Sequence, residues 1–146
     1  MNIELYNGGV PVMEIVERWH SLEKGNGWGA FIPFIGIVRP DGGIVGLYFE
    51  LYAPLLLEWF KKWENLPDGK IYMAHSFGEV KVTETSFLAG IFTPHRQEGF
   101  KYLVEFVEDF KANAPIWKYD ILSGGEKIFR EERSKKLPNA GLLGKE

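Results

Sequence analysis

Basic side chains recur where this sequence changes direction: Arg39 directly before Pro40, the pair His95-Arg96 directly after Pro94, Lys111, and Lys118 just beyond Pro115. Ends of elements beside turns are where binding groups are usually mounted on a rigid scaffold. A helix that begins near His95 exposes unpaired backbone N–H groups and a partial positive charge, so His95 and Arg96 there suit a phosphate or a carboxylate. The chemistry such a set supports is recognition of anions, with no dedicated phosphate loop required.

Spacing alone leaves a structural explanation open for each of them. Lys111 would sit in the last turn of its helix, where a cation is favoured by the dipole in any case. Arg39 fits a solvated turn, His95 a partner for neighbouring backbone, and Lys118 the polar face of a strand. Trp117 reads as core, and His20 and His75 as structural histidines. Arg130-Glu131-Glu132-Arg133 reads as a solvated face of mixed charge.

Other chemistries are disfavoured. There is no phosphate-binding loop, no GxGxxG after a strand, no HExxH and no GxSxG. With three His and no Cys, a transition-metal centre is not expected, which leaves only a carboxylate site for magnesium open. The absence of Cys also excludes disulfides and any sulfur held on a thiol of the chain itself. No resident cofactor or metal is expected. Lys plus Arg number 17 and Asp plus Glu 20, a net charge of -3, so neither nucleic acid nor an acidic membrane should be drawn to the chain as a whole. MNIELYNGGV lacks the basic-then-apolar order of a signal peptide, and no apolar run approaches the roughly 20 residues of a membrane span, so a cytoplasmic protein is expected.

These cations must be positioned by the elements between them. The 146 residues suit one domain, 1–146, with a tail from about 131 that loses periodicity and is either flexible or in contact with a partner. Residues 2–6 read as a strand, and 11–22 as a helix with a stripe of Val12, Ile15, Val16, Trp19 and Leu22. WGAFIPFIGIV at 28–38 reads as a strand covered on both faces, with Pro33 arguing for an edge or a bulge. Pro40-Asp41-Gly42-Gly43 is turn chemistry, so 44–52 is expected to fold back as a hairpin on 28–38. A second helix from Pro54 carries Leu56, Trp59, Phe60 and Trp63 before Pro67. Segments 70–77 and 85–93 form another antiparallel pair, joined by an exposed GEVKVTE connection. A long helix over 95–112 buries Phe100, Leu103, Val104, Val107 and Phe110, and 116–122 with 126–130 form a last hairpin across Ser123-Gly124-Gly125. The order β-α-β-β-α-β-β-α-β-β predicts an α+β fold with a mainly antiparallel sheet and three helices.

Five segments in order carry a resemblance: GAFIPFIGIVR at 29–39, FELY at 49–52, AHSFGEV at 74–80, TPHR at 93–96 and FKANAPIWK at 110–118. Together they resemble the MoaE family, the large subunit of molybdopterin synthase, over about residues 28–122. The resemblance implies an α/β hammerhead-type fold and a homodimer. It also implies a MoaD-like ubiquitin-fold sulfur carrier ending in a Gly-Gly thiocarboxylate, two of which make a heterotetramer with the dimer. The implied activity is sulfurtransferase: two sulfurs, one from each of two successive carriers, are added to precursor Z, the cyclic pyranopterin monophosphate, to give molybdopterin in molybdenum cofactor biosynthesis.

By matching position, Ile37, Val38 and Arg39 would lie against the pterin. His95 and Arg96 would bind its phosphate region across the dimer interface, and Lys111 and Lys118 would flank the reacting centre as catalytic groups. Tyr119 and Asp120 would continue that binding segment, and Phe34 would pack near the carrier tail. Phosphate and thiocarboxylate are two anions, and Arg39, Arg96, Lys111 and Lys118 supply matching charge. Crowded ammonium groups lower one another's pKa, which suits one lysine to acid-base work and the other to stabilising negative charge. Departures from the family pattern are Ile37, Leu51 and the APLLLE start of the second helix. A dimer that docks the carrier tail without chemistry is the alternative reading.

Overall fold

The computed structural model describes residues 2–130. The elements follow the expected order: β1 (Ile3–Asn7), α1 (Val12–Glu23), β2 (Ala30–Ile37), β3 (Ile44–Leu51), α2 (Ala53–Phe60), β4 (Lys70–Lys81), β5 (Thr85–Thr93), α3 (Arg96–Asn113), β6 (Ile116–Leu122) and β7 (Lys127–Phe129). The tail beyond 130, and with it the expectation of flexibility or partner contact, lies outside the described residues.

Among the described residues, seven strands form one open sheet in the order β2-β5-β4-β3-β6-β7, with β1 set parallel against β4 and every other pairing antiparallel. The organising strand is β4. Its first half pairs with β5, Met73–Phe77 pair with β1, and residues 78–81 pair with β3. The changeover falls at Gly78, whose φ of +78° favours glycine and whose missing Cβ would lie 2.6 Å from Asn7 Oδ1.

The expected hairpin between 28–38 and 44–52 does not form. β2 pairs with β5, β3 pairs with β4 and β6, and two strands separate them. The reason is where the backbone of Val38 bonds: its N–H donates to Glu84 O and its carbonyl accepts from Thr83 N–H, tying the end of β2 to the β4–β5 turn. Pro40-Asp41-Gly42-Gly43 therefore makes a short 3-10 turn that carries the chain across the sheet. Pro33 does lie on an edge strand, and a bulge follows between Gly36 and Ile37. The connection expected over GEVKVTE is shorter than that segment, because Gly78 to Lys81 belong to β4 and Val80 is fully buried.

Helix α3 is rotated from its expected setting. Gly99, Phe106, Val107 and Phe110 are buried, whereas Phe100 and Val104 are 56% and 62% exposed. Gly99 explains the rotation: a Cβ there would come within 2.8 Å of Ile32 on β2, so the helix seats its narrowest point on the sheet and turns its 100/104 ridge outward. In α1, likewise, Ile15 and Trp19 are buried while Leu22 is exposed and its neighbour Glu23 goes inside.

The core has two parts. The larger packs α2 and α3 on one face of the sheet through Leu56, Phe60, Met73, Phe87, Phe106 and Phe110. The smaller packs α1 on the other face through Ile15, Trp19, Tyr72, Leu88 and Phe92. Glu23 enters the second cluster as a buried carboxylate that accepts from Tyr72 Oη, Trp28 Nε1 and Asn26 Nδ2, with Lys70 Nζ at 2.9 Å. Burial alone would raise its pKa, but these donors outweigh that and hold the carboxyl down to about 2.

Candidate functional site

Between the end of β2, the inner face of β3 and β6 and the last turn of α3 lies a cavity of about 420 Å³. Each cation on it is placed by a specific local event. Arg39 follows Val38, whose backbone bonds hold the chain end beside the cavity. Lys111 stands in the last turn of α3, which ends where Ala114 N–H donates to Phe110 O and Pro115 follows. Lys118 is the third residue of β6 and the cross-strand partner of Phe49 on β3. Alternation puts Ile116 and Lys118 on the face of β6 that looks toward the cavity.

The wall is graded. Arg39, Asp41, Ile37 and Lys111 form an exposed rim, and Arg39 and Asp41 make an ion pair at 3.1 Å there, with side chains 79% and 66% exposed. Phe49, Phe87, Phe110, Val38 and Ile116 form a buried inner wall, and His75 lies among them. Phe87 stacks on Phe110 at 4.2 Å, and Phe34 meets Phe87 at 5.8 Å. A ligand entering here would present anionic groups to the rim and a flat, partly apolar body to the wall.

Six of the residues named from the sequence thus line one cavity: Phe34, Ile37, Val38, Arg39, Lys111 and Lys118. The other four do not line it within this chain. His95 and Arg96 stand at the opposite end of α3; Arg96 and Lys111 are about 22 Å apart along the axis. His95 is exposed, with Nδ1 3.6 Å from Glu98 Oε2. Tyr119 points to the other face of β6, against Tyr48 at 5.8 Å and Phe129 at 5.4 Å. Burial, and then the proximity of Glu50, raise its pKa. Asp120 is buried and accepts a bond of 2.6 Å from Arg130 Nε.

The inner wall is not legible in the sequence. From the sequence His75 reads as a structural histidine, and Phe49, Phe87 and Phe110 as apolar residues only. The available sign was the alternation of β4, which puts His75 on the same face as Met73, toward the larger core. Among the described residues, no group of three His, Asp or Glu converges as a metal site would require. No helix of the described residues is long and apolar enough to cross a membrane.

The family model described as MoaE protein matches residues 12–113. The molybdopterin synthase catalytic subunit of Helicobacter pylori (strain ATCC 700392 / 26695) is 36% identical over 144 residues, covering 97% of this chain and 99% of the relative. That of Thermoplasma volcanium is 32% identical over 133 residues, covering 84% and 93%. Among solved structures, the complex of subunits 1 and 2 of molybdopterin-converting factor from Helicobacter pylori 26695 contains a chain that superposes with a TM-score of 0.87. That chain is 36% identical, and the match covers 98% of this chain and 99% of that one. Molybdopterin synthase from Staphylococcus aureus, at 21% identity and a TM-score of 0.69, shares the fold.

Proposed function

Since the chain belongs to the MoaE family, we infer that it is the catalytic subunit of a molybdopterin synthase, a sulfurtransferase of molybdenum cofactor biosynthesis. Its partner is a MoaD-like carrier, as in the two-subunit complex of the Helicobacter pylori relative. The carrier's thiocarboxylate supplies sulfur to precursor Z, twice, to build the dithiolene of molybdopterin. The observation that carries this reading is the convergence of Arg39, Lys111 and Lys118 on one cavity with an aromatic inner wall.

The roles within the site are our assignment. Arg39 at the rim meets an incoming anion and exchanges its partner Asp41 for it. Lys111 and Lys118, from the two ends of the short link between α3 and β6, flank the reacting carbon. One moves a proton and the other holds developing negative charge. Ile37, Val38 and Phe34 pack against the flat body of the pterin and the carrier tail.

His95 and Arg96 lie too far along α3 to serve their own cavity. We assign them, with Tyr119 and Asp120, to a site completed across a homodimer, where a second subunit's Arg96 reaches the substrate phosphate. The dimer with two carriers is a heterotetramer, and its place of work is the cytoplasm.

The test is to mix the protein with thiocarboxylated carrier and precursor Z and measure molybdopterin. Formation of product by wild type and its loss in Lys118→Ala support the reading. No product from wild type, or full activity in Lys118→Ala, overturns it.

A further inference from the structure

Beside the cavity, β2 and β5 fall out of step. Gly36 pairs with Phe87 and the next residue, Ile37, with Thr85, so one step on β2 spans two on β5 and Ser86 is the extra residue of a bulge. Strict alternation would send Ser86 to the α1 face of the sheet with Leu88, away from Phe87. The bulge breaks that alternation, and Ser86 lines the cavity together with Phe87.

Ser86 is 9% exposed. The cavity residues that adjoin it along the chain and across the strand pair, Phe87, Gly36 and Ile37, carry no polar side-chain atom. Among the described residues no side-chain hydrogen bond engages its hydroxyl. Burying an oxygen in such a place is costly unless a partner meets it. Alanine would fill the same position without that cost, so packing alone gives no reason for serine here.

We propose that Ser86 is a specificity-determining residue of the cavity: its hydroxyl hydrogen-bonds the lactam edge of the pterin-type substrate, where a ring C=O and a ring N–H stand side by side. A hydroxyl suits that edge because it can donate to the carbonyl or accept from the N–H. The cations take the anions, and Ser86 reads the heterocycle deeper in the wall. This rests on the cavity being the synthase site, and it adds a contact that discriminates against flat phosphorylated ligands without such an edge.

Threonine and valine share one shape, and only threonine carries the hydroxyl, so the two variants separate the oxygen from the packing. The KM for precursor Z should rise roughly fivefold in Ser86→Ala and be roughly fivefold higher in Ser86→Val than in Ser86→Thr, with kcat within about twofold throughout. Equal KM in the Thr and Val variants, or wild-type KM in Ser86→Ala, overturns the proposal. Thermal unfolding identifies any variant that fails to fold, and Ser86→Ala, which adds no atom, then decides alone. Calorimetry of precursor Z binding without carrier should give the same ranking and separates this inference from the functional assignment. No binding to wild type overturns both. Binding to wild type with undiminished binding to Ser86→Ala overturns this inference alone, and the expected ranking without turnover supports the contact while overturning the activity.

Discussion

Phe87 of β5 and Phe110 of α3 stack face to face, with ring centroids 4.2 Å apart and planes within 6°. This contact fixes the C-terminal turn of α3 to the middle of the sheet, and Lys111 is the next residue. Truncating the ring removes both the packing and the register of that turn. Phe110→Ala should lower stability by about 3 to 5 kcal/mol, read from denaturant unfolding. The less disruptive Phe110→Leu should retain the fold and still lose product formation.

Lys111→Ala and Lys118→Ala should each reduce molybdopterin formation by about a hundredfold or more, with unfolding midpoints near wild type. Arginine preserves the charge without the acid-base range. The lysine that moves the proton is therefore the one whose Arg variant stays inactive, and the other should recover in part. Steady-state assays of the four variants make the assignment.

The composite site has a signature in mixtures. Arg96→Ala and Lys118→Ala homodimers should both be inactive. After unfolding and joint refolding, half of the dimers are mixed and each holds one intact site, so roughly a quarter of wild-type activity should return. No recovery would place Arg96 outside the partner's site.

Two carboxylates held well below the ordinary range contribute to the acid stability. The hydrogen-bonded guanidinium of Arg18 holds Glu4 down to about 2, and the donors around Glu23 hold it to about 2 despite its burial. A folded pKa below the ordinary carboxylate value means stability that is full above that value, 4.5, and lost as pH falls from there toward 2. Glu23 should dominate, since its side chain is 2% exposed, whereas the Glu4–Arg18 pair is open to solvent. Glu23→Gln should be less stable than wild type at pH 7, and the gap should narrow below pH 4.5, as followed by chemical unfolding across that range.

Gly46 lets β3 cross close to β4: a Cβ there would lie 2.7 Å from Val80 O, which is backbone and cannot move away alone. Gly46→Ala should cost about 1 to 3 kcal/mol and loosen the β3 wall of the cavity, read as a lower unfolding midpoint together with a raised KM.

Local pattern alone determined the element order, the last hairpin and the pairing of β4 with β5, because hydrophobic period and turn residues act over a few positions. The five ordered segments likewise carried the family and the cationic set. What only the tertiary structure decided was long-range. The Pro40–Gly43 turn has hairpin chemistry, yet Val38 bonds to Thr83 and Glu84, so β2 and β3 end up on opposite sides of the β4–β5 pair. Phe100 and Val104 share the three-four spacing of core residues, but the close approach of Gly99 to Ile32 turns them outward. His75 carried no local sign of function. It became part of a site because five strands and a helix, several of them far apart in the chain, close round one cavity, and sequence spacing does not encode the distances between elements that meet only in the folded state.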